Sequence, residues 1–121
     1  MKSLKKIMTA TFVLLSMLSI NAQIKNKKTA NVKIAGNCEM CKKTIETAGN
    51  IKKTAMVNWN VDSKIAQITY DSSKTNPEEI LKRIADAGYE NEEFAANDKQ
   101  YNQLHSCCQY DRNTIKKEAK K

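Results

Sequence analysis

Gly36-Asn37-Cys38-Glu39-Met40-Cys41 is the stretch on which the reading of this chain turns. Before it, Asn31-Val32-Lys33-Ile34-Ala35-Gly36 places Val32 and Ile34 on one face, the period-two pattern of a half-buried strand. After it, Cys41, Ile45 and Ala48 recur at spacings of four and three, the apolar stripe of a helix. Ile51 extends that stripe, and Gly49-Asn50 weakens its end. The two thiols therefore stand where a strand hands over to a helix. Free backbone N–H groups and the positive end of the helix dipole favour a thiolate there, and Lys42 and Lys43 push the same way. Cys41 lies on the apolar side and is expected to be the more buried thiol; Cys38 is expected to be the more exposed. Two thiolates on one loop can converge on a soft ion such as Cu(I) or zinc. The same spacing also serves a structural disulfide or the active pair of a thioredoxin-like redox protein.

Downstream, residues 55–61 alternate, with Val57, Trp59 and Val61 on one face. Asp62-Ser63-Lys64 forms a tight turn and residues 65–70 a second strand, so the pair reads as a hairpin. Trp59 is assigned to packing, because of the area a Trp buries. Asn76 as N-cap, Pro77 at the first helical position and Glu79 two residues on open a second helix. Ile80, Leu81, Ile84 and Ala85 share its face, and Gly88 ends it. Residues 89–94 read as a short, Glu-rich last strand. The order predicts an α+β fold, a ferredoxin-like βαββαβ sandwich with two helices on one face of a four-stranded antiparallel sheet and a wetter opposite face.

The flanks read differently. Residues 1–22 have the form of a signal peptide: Lys2, Lys5 and Lys6, an apolar run over 7–20, and Ala22 before a cleavage point. The run is too short for a stable membrane span, so the expected location is periplasmic or secreted. The net charge of +8 is concentrated at the ends, in those lysines, in Lys25, Lys27 and Lys28, and in Lys116, Lys117, Lys120 and Lys121. Such clusters, with only 6% aromatic residues, suit solvated ends rather than a nucleic-acid face. From Asp111 on, Arg112 included, the chain is expected to be a disordered basic end.

Residues 31–94 resemble the heavy-metal-associated domains, a family that includes copper chaperones, the N-terminal modules of copper-transporting ATPases and the periplasmic mercuric-ion-binding protein. The residues that carry the resemblance are Cys38-Glu39-Met40-Cys41, the hairpin over 57–70, Asn76-Pro77-Glu78-Glu79-Ile80 and Ala87-Gly88-Tyr89. The resemblance implies that Cys38 and Cys41 are metal ligands and that Tyr89 screens the site from solvent. The family's usual Gly-Met-Thr/His-Cys lead is replaced here by Gly36-Asn37-Cys38, one residue shorter and without the Met that packs beneath the loop. Met40 occupies a position that faces solvent in the family and is not assigned as a ligand. The thioredoxin reading is disfavoured by the element order, by the absence of a Trp before Cys38 and by the sole proline, Pro77, which opens a helix.

A tail with its own chemistry follows: Tyr101-Asn102-Gln103-Leu104-His105-Ser106-Cys107-Cys108-Gln109-Tyr110. Adjacent cysteines rarely bond to each other, so Cys107 and Cys108 look outward. Three roles are open to them: with or without His105 they complete the Cys38/Cys41 site, they form a separate soft-metal or transfer site, or they make a disulfide to the body or to another chain. The organisation expected is thus a signal peptide (1–22), a polar lead-in (23–30), a heavy-metal-associated domain (31–94) and a Cys-containing basic tail (95–121). The expected function is an exported soft-metal-binding protein. Its candidate ligands are Cys38, Cys41, Cys107, Cys108 and His105, and its cargo is Cu(I), with Zn(II) or Hg(II) as alternatives. Metal would pass by thiolate exchange, with a metal-transporting membrane protein as a possible partner and a monomer or metal-bridged dimer as the working state. No nucleic acid, stable membrane insertion or enzymatic activity is expected. The rival is a thiol–disulfide redox protein using Cys38 and Cys41.

Overall fold

The computed structural model describes residues 24–112. Residues 1–22 and the lysines 116, 117, 120 and 121 lie outside it, as do the readings made of them. The elements run β1 (Lys27–Lys33), α1 (Glu39–Gly49), β2 (Ala55–Trp59), β3 (Ile65–Asp71), α2 (Pro77–Asp86) and a short α3 (Asp98–Asn102), then a single 3-10 turn at Ser106–Cys108. Among the described residues, no helix is long and apolar enough to cross a membrane.

The sheet is antiparallel in the order β1-β3-β2, with Val32 opposite Ala66 and Val57 opposite Ile68. Alternation sorts its two faces. Ala55, Val57, Trp59, Ala66 and Ile68 are buried beneath the helices, while Met56 and Ile65 are exposed on the other side. Ile45 and Cys41 of α1, and Ile80, Leu81 and Ile84 of α2, complete the core. Gly49 lets α1 approach closely: a Cβ there would lie 2.4 Å from Val57 Cγ2 and 3.1 Å from Ile84 Cδ1. The start of α2 is as read from sequence, with Glu79 N–H donating to Asn76 Oδ1 at 3.0 Å. Its end is set by Gly88, whose φ of 108° is the left-handed conformation a glycine adopts without strain.

Three expectations are corrected. Among the described residues the sheet has three strands, not four. The segment over 89–94 meets the edge of β1 through an isolated bridge between Ile34 and Asn91, a bond from Ala35 N–H to Glu90 O and one from Lys33 N–H to Glu92 Oε1 at 3.3 Å, with no continuous ladder. The reason is Asn91. Its buried side chain accepts from the N–H groups of Glu93 and Phe94 at 3.0 Å each, which turns the chain before a ladder can extend. The first strand begins earlier than its apolar residues suggest. Lys27 to Ala30 pair with the end of β3 although their side chains are largely exposed, because ladder bonds use backbone groups regardless of side-chain polarity. Arg112 is not part of a loose end: its guanidinium pairs with Glu90 and Asp98 and donates to Ala96 O at 2.7 Å.

Candidate metal centre

The loop is built on Trp59. Its indole N–H lies 2.9 Å from Ile34 O and 3.2 Å from Lys64 O, which ties the end of the β2 hairpin to the segment leading into the thiols. Gly36 passes directly over the ring: a Cβ there would lie 2.9 Å from Trp59 Cη2 and Cζ2. The wholly buried Trp59 thus forms a floor beneath the segment leading into the thiols.

Helix α1 starts at Glu39 with Cys38 as N-cap, so Cys41 stands in its first turn. The two sulfurs are 3.6 Å apart. Cys41 is fully buried and Cys38 half-buried, as their positions on the helix predict. The backbone N–H of Cys41 is the main influence on the Cys38 thiol. Burial opposes it, while the Cys41 thiol and Met40 N–H assist, and the result is a thiol held down to about 7 from an ordinary 9.0. Lys42 does not contribute as expected. Its ammonium turns to Glu46 Oε2 at 2.7 Å, Asn58 Oδ1 at 3.0 Å and Trp59 O at 2.7 Å, because these acceptors sit along the helix and the strand beneath it. Lys43 is exposed.

The tail folds back over this loop. Leu104 covers Gly88. Tyr110 stacks on Tyr89 with ring centroids 6.0 Å apart, and Tyr101 meets Tyr110 edge-on at 5.0 Å. The Tyr110 hydroxyl donates to Gly88 O at 2.6 Å and accepts from Glu90 N–H at 2.8 Å. Asn37 Nδ2 donates to Cys107 O at 3.1 Å, joining the tail to the thiol loop itself.

This docking separates the two adjacent cysteines. Cys108 turns inward and is 2% exposed, and its sulfur joins those of Cys38 and Cys41 in a group whose atoms all lie within 4.8 Å of one another. Burial pushes its thiol well above the ordinary value. Tyr89, also buried, stands against Cys108 and Cys41. Cys107 stays exposed, with its sulfur 3.8 Å from Cys108 Sγ and 3.8 Å from Met40 Sδ. His105 is exposed, and its carbonyl accepts from Cys108 N–H at 2.8 Å. All four cysteines are unbridged. Of the five candidates, the fold gathers Cys38, Cys41 and Cys108, leaves Cys107 at the rim and keeps His105 outside the group. With metal–thiolate bonds of about 2.3 Å, three sulfurs around one ion lie about 4 Å apart, so the cluster is close to the size of a three-sulfur site. Sequence reasoning missed Asn37, Trp59 and Tyr110 as the parts that hold it together.

No family profile and no curated protein matches the chain. Among solved structures the fold is similar to that of a CopZ metallochaperone, at a TM-score of 0.50 and 24% sequence identity, over 53% of this chain and 98% of that one. The likeness is one of fold, and it is the fold that the heavy-metal-associated resemblance implied. The chain is thus a domain of metallochaperone-like architecture, carrying a docked tail that adds a thiol to a cysteine cluster able to hold a metal ion.

Proposed function

We propose that this protein is an exported carrier or scavenger of a soft metal ion, Cu(I) before Hg(II) or Zn(II), and that Cys38, Cys41 and Cys108 are its ligands. The observation that carries the reading is the arrival of Cys108, from a segment 67 residues beyond Cys41, within 4.8 Å of both loop thiols. Thiolates select soft ions, and three of them suit Cu(I) or Hg(II) better than zinc, which takes four ligands in structural sites. Cargo leaves by exchange: an incoming thiolate of a partner, such as a metal-transporting membrane protein, bonds to the ion as one of the protein's own sulfurs lets go. Of the three ligands, half-exposed Cys38 is the most accessible to such a partner. The roles ask for no general acid, base or nucleophile, and the reading is of a carrier rather than an enzyme.

Anaerobic titration of the reduced chain with Cu(I) against a competing chelator tests this. Cys38→Ser/Cys41→Ser should abolish tight binding, and Cys108→Ser, which removes a ligand, should weaken it by at least the roughly 10- to 100-fold that loss of an outer-shell partner costs. Wild type binding no better than the double variant would end the metal reading. The 3.6 Å approach of Cys38 to Cys41 and the low value of Cys38 favour a second reading, a dithiol–disulfide redox pair. That reading requires reversible oxidation and activity that survive strict removal of metal.

A further inference from the structure

Outside the buried group lies a second pair of soft donors that the proposed binding role leaves unused. Met40 is 48% exposed, and its thioether sulfur is 3.8 Å from the exposed Cys107 thiol. Each partner precedes a buried ligand in the chain, Met40 before Cys41 and Cys107 before Cys108. The two come from segments far apart in sequence, and their meeting is enforced: α1 fixes Met40, and the bond from Asn37 Nδ2 to Cys107 O fixes the tail. From Cys107 the next sulfur inward, Cys108, is a further 3.8 Å away. Both steps match the roughly 4 Å separation of sulfurs sharing one ion with bonds of about 2.3 Å.

We propose that Met40 and Cys107 form an outer docking site that receives Cu(I) from a thiol-bound donor and passes it to the buried thiols, a role that rests on the metal-binding reading above. A neutral thioether and one thiolate hold Cu(I) more loosely than three thiolates, which suits a station from which the ion must move on. On arrival the donor's sulfur, Cys107 Sγ and Met40 Sδ share the ion. The bond to the donor then breaks as the Cys107 bond is completed, and the proton of the Cys107 thiol leaves on the donor thiolate. In the second step Cys108 Sγ bonds to the ion as Cys107 Sγ releases it, and the proton given up by Cys108 returns to Cys107. Cys38 Sγ and Cys41 Sγ then bond to the ion as Met40 Sδ lets go, and their thiol protons leave to solvent. Copper remains Cu(I) throughout, and no oxidant or reductant is consumed.

The test is anaerobic stopped-flow loading of the full reduced chain from a Cu(I)–glutathione complex, paired with equilibrium competition against a chelator. Cys107→Ser and Met40→Leu should each slow loading about tenfold, equivalent to about 1.4 kcal/mol of barrier. Both should leave the equilibrium affinity within about twofold of wild type. Cys107→Met, which restores a soft donor, should recover most of the rate, whereas loss of fold would not be repaired by it. Unchanged loading rates in both single variants would overturn the docking pair. So would a Cys107→Ser variant that loses as much equilibrium affinity as Cys108→Ser, since Cys107 would then belong to the inner site. Wild type that binds Cu(I) no better than Cys38→Ser/Cys41→Ser would overturn the binding reading, and the docking site with it.

Discussion

The chain carries two pairs of cysteines, and the fold treats them in opposite ways. Cys38 and Cys41, three apart across a helix start, turn to the same side with sulfurs 3.6 Å apart. Cys107 and Cys108 are neighbours in sequence, yet one is exposed and the other is 2% exposed. The first pair converges through local geometry, since a helix brings residues three apart onto one face. The second is split by tertiary contacts, the aromatic stack of Tyr89, Tyr110 and Tyr101 and the bond from Asn37 to the tail. A site made of one locally determined arm and one docked arm should fail in two distinct ways.

The largest expected effect is on the local arm. Trp59→Ala removes the floor beneath Gly36 and leaves Ile34 O without its indole donor. It should lower stability by about 3–5 kcal/mol, as for a buried aromatic cut to Ala, seen as a shift of the whole denaturation curve. The docked arm should yield more gently. Tyr110→Phe leaves Gly88 O and Glu90 N–H unpaired in a buried place and should cost about 1–3 kcal/mol. Alkylation of Cys108 should accelerate while that of Cys41 stays slow. Equal acceleration of both would show that tail and sandwich open together, and would dissolve the distinction.

A smaller effect separates the thiols by acidity. With its thiol held at about 7 instead of 9.0, Cys38 should be alkylated in the metal-free chain with half-maximal rate near pH 7. Cys108 should not respond there, because burial pushes its thiol up. The depressed value means that the stability Cys38 contributes is fully present above the ordinary value and is lost as pH falls through about 7, and metal affinity should weaken over the same descent as protons compete for the sulfur. A Cys38 profile centred near 9 would contradict the helix-start geometry. The smallest effect is expected at Lys42. Its ammonium faces Glu46, Asn58 and Trp59 O, so Lys42→Met should change metal affinity by no more than about twofold in the same competition assay.

Much of the frame was legible in the sequence because it obeys local rules. The α1 stripe, the hairpin of β2 and β3, and the Asn76, Pro77 and Glu79 start of α2 are short-range patterns of period and capping. The last strand was misread because the element order leaves a place for it after the second helix, while the two backbone N–H bonds that the Asn91 side chain accepts are invisible to periodicity. The direction of Lys42 was misread for a related reason: charge in sequence gives no orientation, and the nearest acceptors lay on the strand below.

The sequence by itself determined the pairing of Cys38 with Cys41, their unequal burial and the strand-to-helix setting that lowers the Cys38 thiol, because each depends on residues within a few positions of one another. Only the tertiary structure decided which tail cysteine joins them. That choice depends on Tyr110 reaching Gly88 and Glu90, and on Asn37 holding Cys107 O, contacts between residues that are 20 to 70 positions apart. Adjacent thiols have the same composition and the same local pattern; burying one and exposing the other takes a surface for the tail to dock on, and that surface exists only once the sandwich has folded.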